Sequence, residues 1–274
     1  MGGAGIRIVL VEPAGPLNLG SIARVMKNFG LCNLVLVNPQ CDRYDDDALK
    51  MAVHAQEILE SAVIVETLPQ ALQGCVRAIA TMGRDYSGEI PLESPRTALP
   101  WLLTEPEQPV ALIFGREDRG LSNEELNYAQ KLIFIPTSPN YPSLNLATAV
   151  AICCYELSQL AEVVVTQKLP PTEIAPLDVV EPYYQELESL LLSIGYLYPH
   201  TAASRMEKFR YLYNRAHIKT AEVAMLRGIL RQVEWAIHNR IQQENLYSRS
   251  QESGGGSAVD GFPGIKQLPF RSQE

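Results

Sequence analysis

Cysteine is scarce in this 274-residue sequence, and its placement shows no pairing pattern. Cys32, Cys41, Cys75, Cys153 and Cys154 are an odd count with no Cys-x-x-Cys spacing, so neither a disulfide framework nor a zinc knuckle is expected. The four histidines (His54, His200, His217, His238) are scattered, and no cluster has metal-ligand spacing, so no catalytic metal is expected. No apolar run approaches the ~18 uninterrupted residues of a membrane span; the longest candidates break at Asn145 and Thr148 or at Ser193. The first seven residues lead straight into a strand-like run and lack the apolar core of a secretion signal. No Gly-x-Gly-x-x-Gly follows that first strand, which disfavours a nicotinamide dehydrogenase. No internal repeat is visible. Together these absences leave a reduced, cytoplasmic protein.

Positive charge is also in short supply, with 23 basic against 31 acidic residues and a net charge of −8. Phosphate binding is driven by Lys and Arg, so the whole-chain balance argues against a nucleic-acid partner. The charges are segregated, however. Arg205, Lys208, Arg210, Arg215, Lys219, Arg227, Arg231 and Arg240 face only Glu207, Glu222 and Glu234 in the same stretch. The preceding stretch, 165–190, holds Lys168 against Glu173, Asp178, Glu181, Glu186 and Glu188. A basic block behind an acidic one is compatible with a local polyanion site, and equally with a solvated helix pair.

The first half alternates strand-like and helix-like segments. Ile6–Glu12, Leu34–Val37, Ala78–Thr81, Val110–Phe114 and Leu132–Ile135 are apolar runs of strand length, with helical patterns at Ser21–Phe29, Asp47–Glu60 and Asn145–Val163. That alternation predicts an α/β fold, a mostly parallel sheet covered on both faces. Ligands of such sheets bind at the carboxyl ends of the strands, so the loops after Val11, Ala80, Phe114 and Ile135 are the candidate site. A linker is expected over 166–177, where Pro170, Pro171 and Pro176 cluster. It separates an α/β domain at 1–165 from a small α-helical extension at 178–246, with helices near Asp178–Ile194, Thr201–Arg215 and Thr220–Asn245. The Ser-, Gly- and Gln-rich segment 247–274 is expected to be disordered.

Three constellations sit in the candidate loops. In the first, Asn18-x-Gly20-Ser-Ile-Ala-Arg24-x-x-x-Asn28-Phe-Gly30, the residues Ile22, Val25, Met26 and Phe29 fall at helical spacing and predict the buried face. Ser21, Arg24 and Asn28 share the opposite face. Asn18 reads as a helix cap, or as an amide that joins Arg24 around a phosphate or ribose. In the second, Phe114-Gly-Arg-Glu117-Asp-Arg-Gly120-Leu-Ser122-Asn-Glu-Glu125, two glycines and four charges follow an apolar strand. Glu124 and Glu125 are discounted, because Ser122 and Glu125 form a capping box. In the third, Ile135-Pro136 precedes Ser143-Leu144-Asn145-x-Ala147-x-Ala149, with Pro136, Pro139 and Pro142 stiffening the loop ahead of a small-residue helix.

In this order and spacing, the three constellations resemble the three signature motifs of the SpoU branch of the SPOUT methyltransferases. The resemblance runs over roughly residues 6–240. It is tightest to the tRNA 2′-O-ribose methyltransferases of that branch, and the Leu226-Arg-Gly-Ile-Leu230 segment shares it.

The resemblance implies an α/β sheet whose C-terminal part forms a trefoil knot, binding S-adenosylmethionine, in an obligate homodimer with each active site at the subunit interface. It implies that Thr81, Met82, Gly83, Gly115, Ile135, Ser143, Leu144 and Asn145 line the cofactor pocket. It implies catalytic roles for Arg24, Asn18, Glu117, Ser143 and Asn145, with Glu117 holding Arg24 or a substrate contact. Arg24 positions the ribose and its 3′-phosphate and stabilises the developing alkoxide, since a guanidinium is a poor base. The implied substrate is nucleotide 32 of the tRNA anticodon loop, cytidine or uridine, with ribosomal RNA, or a non-catalytic RNA-binding role, as alternatives. Tyr211, Tyr213 and His217 are candidates for receiving unstacked bases, whereas Trp235 is expected in the helical core. The sequence departs from the family after residue 82, where Asp85 adds an acid near the cofactor rim.

Overall fold

The computed structural model describes residues 5–83, 91–104, 108–164 and 174–253. Seven strands form one sheet: β1 (Ile6–Val11), β2 (Asn33–Val37), β3 (Val63–Val65), β4 (Arg77–Met82), β5 (Leu92–Glu93), β6 (Val110–Phe114) and β7 (Lys131–Phe134). Their order is β3-β2-β1-β6-β4-β7-β5, with every pair parallel. The five longer strands are those that the apolar runs predict. The edge strands β3 and β5 are not: β5 is two residues long, and β3, although apolar throughout, is three residues long and largely exposed. The central strands are buried on both faces: Ile8, Leu10, Leu112 and Phe114 enter one apolar cluster, while Val9, Val11, Ala111 and Ile113 enter the other. Alternating side chains of a strand point to opposite faces, so each strand feeds two cores at once.

Helix α1 (Pro16–Asn28) starts earlier than the periodicity predicts, with Gly15 as its N-cap and proline at its first position. Asn18 therefore lies inside the first turn rather than capping it. Leu19, Ile22, Ala23 and Met26 are buried. Gly20 meets α2 (Asp46–Ala52) so closely that a Cβ there would stand 2.1 Å from the carbonyl oxygen of Ala48. The expected single helix over Asp47–Glu60 is two, α2 and α3 (Gln56–Ser61). The break falls at Val53, whose φ of 55° no continuous helix allows. The one-turn helix α4 (Leu68–Ala71) precedes β4, and a second, α5 (Pro95–Ala98), leads to a 3₁₀ segment at Leu99–Thr104. The short α6 (Asn123–Leu126) carries the Ser122–Glu125 capping box. Helix α7 (Leu146–Val164) follows β7.

The helical extension comprises α8 (Leu177–Ser193), α9 (Ala202–Ala216) and α10 (Thr220–Ser253). Helix α10 continues past the expected end near Asn245, since no Gly or Pro interrupts it before Gly254. The chain divides into two compact units between Leu230 and Arg231, so α8 and α9 belong to the same unit as the sheet. The reason is visible around α8: the Leu177 amide donates to the Cys75 carbonyl at 2.8 Å, and the Asp178 carboxylate accepts from the Gly74 amide at 2.9 Å. Leu177 and Tyr211 pack on the apolar cluster beneath β4 and β6. Most of the expected linker, the Met82–Tyr86 departure beyond Gly83, and the tail after Ser253 lie outside the described residues. Among the described residues, no helix is long and apolar enough to cross a membrane.

Candidate active site

A cavity of about 240 Å³ opens at the carboxyl ends of β4, β6 and β7, where parallel sheets bind ligands. Thr81, Met82, Gly83, Gly115, Ile135, Ser143 and Leu144 all line it. Asn145, the remaining residue of the expected pocket, lies beside it and caps α7 by accepting from the Thr148 amide at 3.2 Å. Thr81 is tied to the sheet, its hydroxyl donating to the Ile113 carbonyl at 3.1 Å. The Gly115–Leu121 turn folds tightly on itself, closed by the Gly120 amide donating to the Arg116 carbonyl at 2.8 Å. A Cβ on Gly115 would sit 2.2 Å from the Gly120 carbonyl carbon, so no larger residue fits that turn. Leu121, Ile135, Leu144 and Leu146 give the cavity apolar walls, while the glycine-rich backbone gives it polar ones. Such a lining fits a ligand with a flat heterocycle and a polar amino-acid arm.

At its rim, one chain of hydrogen bonds joins all three motifs. The Glu117 carboxylate accepts from the Ala14 and Gly15 amides and from the Asn18 side chain, each at 3.0 Å. Asn18 in turn accepts, through Oδ1, from the Asn145 side chain at 2.8 Å. Burial pushes the Glu117 carboxyl up, but the donors from Asn18, Ala14 and Gly15 outweigh it and hold the group below its ordinary range. Glu117 does not hold Arg24: its partners are the entry to α1 and Asn18. Arg24 projects from the exposed face of α1 and has no hydrogen bond or ion pair among the described residues. Ser21, on the same face, donates back to the Leu17 carbonyl at 2.8 Å. Ser143 is exposed at the cavity mouth.

A second charged group next to the cavity has no counterpart in the sequence reading. Arg119 bridges Glu12 (2.9 Å) and Glu125 (2.9 Å to each carboxylate oxygen). The Arg119 guanidinium is held more firmly protonated by its bonds to Glu125 and Glu12. Burial pushes the Glu125 carboxyl up, but Arg119 and Ser122 outweigh it and the net shift is downward. Glu12, which bonds Arg119, takes a positive φ of 49° just past the end of β1, a conformation that non-glycine residues rarely adopt. Glu125 caps α6, as the Ser122–Glu125 spacing predicts, and serves Arg119 as well. The only available signal was a second arginine in the charge-rich turn.

In the helical extension, the acidic and basic blocks partly neutralise one another. Arg210 pairs with Glu181 (2.6 and 2.7 Å) and lies over the Tyr184 ring, while Arg227 pairs with Glu186. Arg205, Arg215, Lys219 and Arg231 remain exposed. Tyr213 packs edge-on against Tyr183, a core role. Trp235, expected in the core, is 61% exposed: it lies on α10 beyond Leu230, where burial has ceased. Among the described residues, no group of three or more His, Cys, Asp and Glu is placed to hold a metal ion.

Residues 5–155 match the model of the SpoU rRNA methylase family, and residues 178–245 match that of the tRNA methyltransferase TrmJ C-terminal domain. The chain is 40% identical to the tRNA (cytidine/uridine/adenosine-2′-O-)-methyltransferase TrmJ of Pseudomonas aeruginosa (strain UCBPP-PA14), over 84% of this chain and 93% of that protein. It is likewise 40% identical to the tRNA (cytidine/uridine-2′-O-)-methyltransferase TrmJ of Pectobacterium atrosepticum, over 84% and 96%. Among solved structures, TrmJ from Z. mobilis ZM4 superposes with a TM-score of 0.74 at 30% identity, covering 84% of this chain and all of that one. A probable methylase family protein from Haemophilus influenzae Rd KW20 gives 0.56 at 32%, over 86% and 98%.

Proposed function

The chain belongs to the SpoU methylase family, and from that premise we propose its whole reaction: it is a tRNA 2′-O-methyltransferase that takes its methyl group from S-adenosylmethionine and delivers it to nucleotide 32, cytidine or uridine, of the anticodon loop. The observation that carries this reading is the hydrogen-bond chain Glu117–Asn18–Asn145, which joins the three motifs at one cavity. The TrmJ C-terminal domain over residues 178–245 favours tRNA over ribosomal RNA.

S-adenosylmethionine, when bound, supplies an electrophilic methyl group on a sulfonium. Thr81, Met82, Gly83, Gly115, Ile135, Ser143 and Leu144 are the residues that would hold it, with Asn145 bracing the loop beside them. Transfer to a ribose oxygen is an in-line displacement and depends on alignment of the hydroxyl. Glu117 fixes the entry of α1 through the Ala14 and Gly15 amides, and Asn18 ties that entry to the start of α7. The brace sets the position of α1, and Arg24 lies six residues along it, roughly 9 Å at the helical rise. Arg24 then binds the ribose and its 3′-phosphate and stabilises charge developing on the 2′-oxygen. Ser143 completes the mouth.

The active unit in this proposal is a homodimer formed through the α/β domain. Its support is Arg24, unpartnered among the described residues, together with the exposed apolar side chains Leu17, Tyr141 and Tyr155 on or near α1 and α7. A trefoil knot belongs to the same proposal: the Gly115–Leu121 turn and the Pro142–Leu146 segment, distant in sequence, share one cavity. So does a cytoplasmic location. Arg24→Ala is expected to lower methyl transfer to tRNA at least a hundredfold while leaving the S-adenosylmethionine Kd within twofold. A wild-type rate in that variant would remove Arg24 from the reaction.

A further inference from the structure

A second cavity, of about 260 Å³, opens beside the start of β7, lined by β5, the 3₁₀ segment and the end of α9. Lys131 lines this cavity and Ile135 the first. Lys131 opens β7 and Ile135 directly follows its end, so the two lie roughly 13 Å apart at the rise of a strand. Nothing in the methyl-transfer site uses the second cavity.

Its walls are aromatic and fixed from behind. Trp101 packs on one apolar cluster of the fold and Tyr211 on the other. The His217 ring lies 5.8 Å from Trp101 at an interplanar angle of 37°, and His217 ends α9 in a left-handed conformation. Cations accompany the rings. The Lys131 ammonium stands 5.6 Å from the Trp101 ring centroid, and the Arg215 guanidinium 5.6 Å from that of Tyr211. Glu93, the one acid of the lining, is bonded to Lys131 at 2.6 Å. Arg215 is exposed and has no carboxylate partner among the described residues. The Gln130 amide is spent on the backbone, accepting from the Ala78 amide and donating to the Val76 carbonyl. The Arg77 guanidinium also stands 5.1 Å from the Trp101 centroid, so what the cavity offers a ligand is an aromatic wall already backed by cations, beside the exposed Arg215 guanidinium. A ligand that matches both carries an aromatic ring and an anion, which is the chemistry of an unstacked nucleotide. The space admits one ring system, not a duplex.

We propose that this cavity receives a single unpaired nucleotide of the RNA substrate, the base against Trp101 and Tyr211 and a neighbouring phosphate on Arg215. The proposal rests on the tRNA reading above and extends it to a contact away from the reacting ribose.

The chain has two tryptophans, so Trp235→Phe leaves Trp101 as the only one in the full-length protein. Titrating that variant with a cytidine pentaribonucleotide is expected to quench Trp101 fluorescence saturably, whereas a short RNA duplex leaves it unchanged. Adding Arg215→Ala is expected to weaken the apparent affinity about tenfold, and Arg215→Lys to restore part of it. In steady state, Arg215→Ala and, separately, Tyr211→Leu should raise the KM for tRNA about tenfold, with kcat and the S-adenosylmethionine Kd within twofold. Arg215 is exposed, so its variants test the site even if Tyr211→Leu fails to fold. Absence of quenching, or an unchanged KM in Arg215→Ala, overturns the proposal. A wild-type protein that methylates no tRNA contradicts the tRNA reading instead, and the fluorescence titration still decides the site.

Discussion

At the scale of single residues, Glu117 accepts three hydrogen bonds, more than Asn18 or Asn145 makes in the same chain of bonds. Its depressed pKa means that its stabilising contribution is complete above the ordinary carboxylate value of 4.5 and is lost as pH falls through the lower, folded value. Glu117 is therefore ionised throughout the neutral range and braces α1 without exchanging protons. Glu117→Gln places an amide N–H against one of the donors it now serves and removes the charge that strengthens the other bonds. The expected cost is about 1.5–3 kcal/mol, the range for hydrogen bonds to charged groups. In denaturant unfolding, the gap between wild type and variant should be constant from pH 6 to 8 and close as pH drops below 4. A gap that does not narrow on acidification would contradict the charged brace. Asn18, Glu117 and Asn145 were legible because each motif pairs an unusual polar residue with glycine or proline at a strand end. Glu12 and Arg119 were not, because they pair between the end of β1, where Glu12 has a positive φ, and a turn, neither of which leaves a periodic trace.

At the scale of elements, the Gly115–Leu121 turn forms one wall of the cavity and is fastened from outside by Arg119. The side chain reaches the end of β1 through Glu12 and the start of α6 through Glu125. These pairs are partly exposed, so their contribution is modest: Arg119→Ala should cost about 1–2 kcal/mol in unfolding free energy. Because the turn lines the cavity, the same change should weaken S-adenosylmethionine binding several-fold with kcat at saturation little altered, read by calorimetry and initial rates. An unaltered Kd would restrict Arg119 to stability. The same scale explains why helix and strand positions were legible in part. Central strands announce themselves as apolar runs because both their faces are buried, whereas β3 and β5 have one neighbour each and only three and two residues. Helix α1 was placed late because its first turn, Pro16 to Leu19, carries glycine and proline neighbours that read as loop. The α2–α3 break depends on one valine held at positive φ by its surroundings.

At the scale of the whole molecule, the prolines fall between the two family-model matches, residues 5–155 and 178–245, while one compact unit runs across them as far as Leu230. Helices α8 and α9 cover Leu72 and Cys75 beneath the sheet, and Tyr211 seals their edge. A chain ending at Leu230 is therefore expected to keep its melting temperature within a few degrees and its cofactor affinity unchanged. A chain ending at Val165 should still bind S-adenosylmethionine but melt lower and lose tRNA binding, measured by differential scanning calorimetry and filter retention. Full tRNA affinity in the shorter chain would contradict a role for the helices. Net charge misled at this scale, because Glu181 and Glu186 are partners of Arg210 and Arg227 and leave a smaller set of exposed cations to meet RNA.

The measurement that bears most directly on the account is incubation of the purified protein with methyl-labelled S-adenosylmethionine and unfractionated tRNA, followed by mapping of the modified nucleotide. The account predicts a 2′-O-methyl group at nucleotide 32 of the anticodon loop, absent with Arg24→Ala. Label entering ribosomal RNA but not tRNA, or entering neither while S-adenosylmethionine still binds, would contradict it.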